Sequence, residues 1–143
     1  MPEQHYTKQS LSYAKLVATP TEIAWSQAYN AGNLFGCLSL SREEDKGQSL
    51  PVIGKAILSN LEAEFFTLEE KTLASIQKAL SESIKQIPEG VSVSFCLAFF
   101  KESVLYLFIA GRGKILIKRN ATIGTLLEKD ATSQEKILTA SGR

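Results

Sequence analysis

From Val91 to Phe100 the chain alternates strictly. Val91, Val93, Phe95, Leu97 and Phe99 interleave with Ser92, Ser94, Cys96, Ala98 and Phe100. A period of two marks a strand. One face is large and apolar and the other mostly small, which predicts a central strand covered on both sides. Lys101-Glu102-Ser103 turns the chain, and Val104 to Ala110 is expected to return as a partner strand. Gly111-Arg112-Gly113 interrupts that run as a glycine-softened bend. Lys114 to Arg119 reads as a further strand, Asn120-Ala121 as a tight turn, and Thr122 to Leu127 as the strand back. The stretch from Glu128 is polar apart from the pair Ile137-Leu138.

Upstream, Leu11 to Thr19 reads as a first strand and Pro20-Thr21 as a turn, because proline fixes φ and lacks a donor. Glu22 to Tyr29 alternates weakly and is expected as a second strand. Asn30-Ala31-Gly32-Asn33 has turn composition, and Leu34 to Leu40 is expected as a third strand. Ser41 to Ser49 is charged and reads as a surface loop, with Glu43-Glu44-Asp45 its acidic cluster. Two helices follow. Over Leu50 to Phe66, positions Ile53, Ala56, Ile57, Leu61, Glu64 and Phe65 recur at spacings of three and four, and all but Glu64 are apolar. Thr67-Leu68-Glu69-Glu70 matches a capping box. The second helix is expected to reach about Gln86, with Leu73, Ile76, Leu80, Ile84 and Ile87 as its stripe and Pro88-Glu89-Gly90 as its stop.

With Val104 to Arg119 counted as one strand bent at its glycines, the expected order is strand–strand–strand–helix–helix–strand–strand–strand. It places the chain in the α/β (α+β) class, with antiparallel sheets and a helix pair. Residues 1–10 read as a flexible tail, 11–128 as the domain, and 129–143 as a polar segment in which the domain's continuation is interrupted.

Composition narrows the picture. A chain of 143 residues, 44% apolar and 22% charged, suits one folded domain. A net charge of +1 provides no general attraction to nucleic acid or anionic membrane. The Val91–Gly111 stretch is broken by Lys101-Glu102-Ser103 and predicts two strands rather than a membrane span. The N-terminus lacks the apolar run of a signal peptide, so a cytoplasmic location is expected. Cys37 and Cys96 both lie in apolar runs and read as reduced, buried core thiols. The one histidine, His5, sits in the polar tail, and a Ser-His or Cys-His nucleophile would need it as a placed base. No phosphate loop or dinucleotide fingerprint occurs.

The run Val104-Leu105-Tyr106-Leu107-Phe108-Ile109-Ala110-Gly111-Arg112-Gly113-Lys114-Ile115-Leu116-Ile117-Lys118-Arg119-Asn120 is similar to the strand–turn–strand around the Gly-Asp-Ser-Arg motif of PPM-type, metal-dependent Ser/Thr protein phosphatases. Gly111 matches that motif's glycine, and Arg112, Gly113 and Lys114 occupy the next three positions. Arg119-Asn120-Ala121-Thr122-Ile123 resembles the family's following turn. Gly32 to Leu40 stands where the family carries its Asp-Gly metal motif. The resemblance covers roughly Leu11 to Gly142 and implies a partial αββα sandwich.

In that family two Mg²⁺ or Mn²⁺ ions held by carboxylates activate the attacking water. The departures here fall on those carboxylates. Ser39-Leu40 replaces the bridging aspartate, and Pro20-Thr21-Glu22 stands where an early acidic motif is expected. The chain holds only two aspartates, Asp45 and Asp130, and the family's late ligands would lie beyond Arg143. Arg112 reverses the sign of charge at the motif. The resemblance thus implies a non-catalytic, phosphatase-like domain with an interaction or regulatory role and no cofactor. Its expected partner is an unidentified protein or a small anion, held at Gly111, Arg112, Gly113 and Lys114 by cations and exposed N–H groups. Two alternatives stay open. One is a divergent phosphatase using Mg²⁺ or Mn²⁺ on Glu43, Glu44 and Asp45 or on ligands further along. The other is a structural α/β domain unrelated to phosphatases.

Overall fold

The computed structural model describes residues 12–130 and 137–143. The tail expected over 1–10, with His5, lies outside them. The elements are β1 (Ala24–Ala31), β2 (Leu34–Arg42), α1 (Leu50–Phe66), α2 (Leu73–Ser83), β3 (Val91–Lys101), β4 (Val104–Ala110), β5 (Gly113–Arg119), β6 (Thr122–Lys129) and β7 (Ile137–Gly142). Five strands form one antiparallel sheet in the order β1-β2-β3-β4-β7, and β5 and β6 form a separate two-stranded sheet. The α/β class with antiparallel sheets and a helix pair holds.

The order of elements differs from expectation at both ends. No strand forms over residues 12–20, which run exposed and without regular structure. The apolar residues there find no sheet edge or core: Leu16 is 97% exposed, and Tyr13 meets the rest of the fold through an edge-on contact with the Phe35 ring. A strand gains its stability from a paired neighbour and a buried face, and this segment has neither. At the other end Ile137–Gly142, where the pattern predicted no strand, pairs with β4 from Ala110↔Ile137 to Leu105↔Gly142.

The large face of β3 is buried as its alternation predicted. Phe95, Leu97 and Phe99 lie with Trp25, Leu34, Leu38, Leu40, Phe108 and Ala110 against Leu50, Ile53, Ile57, Leu58, Leu61 and Phe65 of α1 and Ile76 and Leu80 of α2. Helix α1 has the expected limits, with Pro51 in its first turn, where proline's missing N–H costs nothing. Helix α2 is shorter than expected. Thr67 is the C-cap of α1, its hydroxyl donating to the carbonyls of Ala63 and Glu64. The capping box belongs instead to Thr72 and Ser75. Serine can play the part that the sequence pattern assigns to glutamate, so the longer motif at Thr67 misleads.

Gly54 explains how α1 approaches the sheet. It is buried, and a Cβ there would overlap the ring of Trp25. Gly54→Ala should therefore cost about 1–3 kcal/mol through overpacking, despite alanine's better helix propensity. Urea unfolding followed by far-UV circular dichroism, a readout that does not depend on Trp25, measures it. Trp25→Leu should remove most of the penalty in a double-mutant cycle.

The opposite sheet face mixes small side chains, among them Ser26, Ser39 and Cys96, with the larger Phe35, Phe100, Leu107 and Ile109. Ser26 and Ser39 share a hydrogen bond across β1 and β2 at 2.9 Å. The β5–β6 hairpin lies over the β3–β4 part of this face, burying Leu107 and Ile109. The β1–β2 part has no such cover among the described residues. Cys37 is therefore exposed and Cys96 half-buried, a correction to their reading as core thiols: the period of two puts both on the face away from the helices. Among the described residues, no helix is long and apolar enough to cross a membrane.

Candidate functional site

The four residues singled out at Gly111 to Lys114 form the corner where the chain leaves one sheet for the other. β4 ends at Ala110, and β5 begins at Gly113 in the smaller sheet. The corner therefore joins two sheets, where a bend inside one long hairpin was expected. Gly111 has φ +76°, in the left-handed region that favours glycine. A Cβ on it would run into the carbonyl of Val93, and one on Gly113 would overlap the sulfur of Cys96. Both glycines are needed so that the corner's backbone can lie directly on β3.

The two cations of the corner differ. Arg112 is exposed and makes no hydrogen bond or ion pair among the described residues. Lys114 sits opposite Glu128 on β6, with 3.9 Å between Nζ and the carboxylate. Glu128, which the sequence pattern did not single out, thus shares the charge of Lys114. Register decides that pairing, and a run of alternating residues does not disclose its own partner.

The acidic loop is organised around Arg42. Its guanidinium donates to the carbonyls of Glu22, Lys46 and Gln48 and to the Asp45 carboxylate at 2.9 Å. Glu44 lies 3.7 Å from Lys46. Asp45 thus has its charge met by arginine, and Glu44 by a neighbouring lysine. Glu43 and Glu44 line an open cleft of about 890 Å³ with Arg42, Lys46, Glu89 and Ser92, at the Val91 end of β3. Among the described residues, no three His, Cys, Asp or Glu side chains come together as a metal-binding group.

The donor chemistry at the resemblance's metal positions can be tested directly. Leu40 is 2% exposed and offers hydrocarbon, Ser39 is hydrogen-bonded to Ser26, and Arg112 is a cation. Mg²⁺ and Mn²⁺ require anionic or neutral oxygen ligands. The residues at these positions do not fit such an ion.

Three further side chains are electrostatically distinct. Tyr29 donates to Glu62 at 2.7 Å. Its phenol is held well above the ordinary range by burial and by that carboxylate. Partial desolvation by the sheet around it raises the Cys37 thiol although the residue is exposed, and burial with the neighbouring Cys37 takes Cys96 up to about 11, partly offset by the backbone N–H of Lys114.

No protein-family model matches this sequence, and no curated protein matches it. Solved structures do. The PPM Ser-Thr phosphatase MsPP from Mycobacterium smegmatis, in complex with cacodylate, is 11% identical with a TM-score of 0.58, over 78% of this chain and 48% of that one. The Mycobacterium tuberculosis serine/threonine phosphatase PstP/Ppp is 17% identical with a TM-score of 0.57, over 80% of this chain and 50% of that one. The catalytic domain of PstP with two manganese ions is 16% identical with a TM-score of 0.54, over 78% and 50%. The chain spans about half the length of the phosphatases it resembles. At such identities the likeness concerns the path of the backbone, and on that level this chain has a PPM-phosphatase-like fold.

Proposed function

We propose that this chain is a non-catalytic PPM-like domain with an interaction or regulatory role in the cytoplasm, taking a small anion or an acidic group of a protein partner at the Gly111–Lys114 corner. The observation that carries this reading is the exposed Arg112 on a corner fastened to β3, where the phosphatase resemblance puts an aspartate. A guanidinium recognises phosphate or carboxylate through paired donors. Leu40 and the Ser26–Ser39 pair support the non-catalytic part, because they supply no carboxylate for a divalent ion.

Calorimetric titration tests both halves. With Mn²⁺, no micromolar binding is expected. With inorganic phosphate, measurable heat is expected, and Arg112→Ala should weaken the affinity about tenfold, the loss of one charge-assisted contact. Micromolar binding of about two Mn²⁺ per chain, with hydrolysis of a phosphate monoester, would overturn this reading. Attention would then turn to Glu43, Glu44 and Asp45 in a divergent phosphatase.

A further inference from the structure

Cys37 and Cys96 are direct partners across β2 and β3, with their side chains on the same face. In the same ladder the N–H of Phe100 donates to the carbonyl of Asn33 at 3.1 Å. Bonded and non-bonded pairs alternate along an antiparallel ladder, so Cys37 and Cys96 form a bonded pair, whose Cα atoms stand about 5.5 Å apart. That separation lies within the range of about 4.4–6.8 Å that a disulfide spans. The Cβ atoms of such a pair stand about 5.5 Å apart, whereas a relaxed bridge brings them to about 3.8 Å. Closing the bridge therefore pulls both side chains inward and leaves the bond strained, the kind that small thiols reduce readily.

Cys96 is also where the corner rests. Gly113 packs on its sulfur too closely to admit a Cβ, and the Lys114 backbone N–H points at it. Drawing that sulfur toward Cys37 removes the support of β5 at its first residue. We propose that Cys37 and Cys96 form a reversible cross-strand disulfide whose closure loosens the docking of the β5–β6 hairpin on the main sheet. The site is a modification site for peroxides, and it acts whether or not the corner binds an anion.

The chemistry balances with one molecule of hydrogen peroxide. The exposed Cys37 sulfur, as thiolate, attacks a peroxide oxygen and breaks the O–O bond, becoming a sulfenic acid while one water leaves after proton uptake. The Cys96 sulfur then attacks the Cys37 sulfur, the S–O bond breaks, and a second water leaves. The two thiols lose two electrons and two protons in all, and the peroxide is reduced to two waters. Raised thiol pKa values keep the thiolate scarce at neutral pH, which slows the first step.

The test treats the full chain with hydrogen peroxide and digests it with trypsin under non-reducing conditions. The expected product links the peptide 16–42 to the peptide 86–101, lighter by two hydrogens, and dithiothreitol separates them. Amide exchange over Gly113–Arg119 should rise roughly tenfold in the oxidised protein and return on reduction. Cys37→Ser, at an exposed position, should abolish both effects, and Cys96→Ala should abolish the link. Sulfinic acid at Cys37 without the link, a bridge between two chains, or a link with unchanged hairpin exchange would each overturn the proposal.

Discussion

Gly111→Ala is expected to lower the stability of this domain by about 2–4 kcal/mol, from a left-handed φ that alanine resists and from overpacking against rigid backbone. The obstructing atom is the Val93 carbonyl, and the next contacts are also main-chain atoms of Val93 and Ser94. Backbone in the middle of a sheet cannot rotate aside as a side-chain terminus can. Relief requires lifting the corner from β3, which would move Arg112 and loosen Gly113 from Cys96. Urea unfolding followed by Trp25 fluorescence measures the cost. Gly142→Ala serves as the control, since nothing lies within 4 Å of a Cβ there and its φ is not positive; it should change stability by no more than about 0.5 kcal/mol. Equal effects at the two positions would mean that the corner does not rest on β3.

Phe95→Ala should cost about 3–5 kcal/mol, the range for removing a large aromatic from a core. Phe95 is fully buried on the central strand, facing the two helices among Leu38, Ala110 and the residues of α1. Strands flank it on both sides, so the sheet cannot close over the space. The neighbouring Phe99 offers a graded comparison. It is 8% exposed and packs edge-on against Phe65 at 5.0 Å between centroids. Phe99→Ala, nearer the sheet's end, should cost less than Phe95→Ala in the same urea experiment. A loss below about 1 kcal/mol at Phe95 would contradict its place in the core.

Both sites were partly visible in the residue pattern. The alternation from Val91 to Phe99 marks Phe95 as core because period two is a local property of strands. The stripe of Ile53, Ile57, Leu61 and Phe65 likewise marks the buried side of α1. Gly111 and Gly113 announce a break in the strand, since only special backbone geometry makes paired glycines worthwhile there. Nothing in that run says that the chain changes sheets at the break. That depends on β7, whose residues Ile137 to Gly142 take the place beside β4 that β5 would fill in a simple meander. A short strand with one apolar pair has little local signal, and its partner is remote in sequence.

The failures share a cause. Leu11 to Thr19 has strand-like composition, yet its described residues lie exposed, because composition does not supply a neighbour to pair with. Thr67 has the pattern of an N-cap, yet its hydroxyl is committed to the end of α1. Cys37 sits in an apolar run, yet exposure depends on whether β5 and β6 reach that part of the sheet. Sequence by itself determined the helix pair, the central strand, the inward residues and the lack of carboxylates at the positions of the phosphatase resemblance, because these follow from local periodicity and residue chemistry. Only the tertiary structure decided that Cys37 faces Cys96, that Lys114 meets Glu128 while Arg112 stays exposed, and that the glycine corner lies on β3. Each of these is set by register and by packing between segments far apart in the chain, and such distances leave no trace in local pattern.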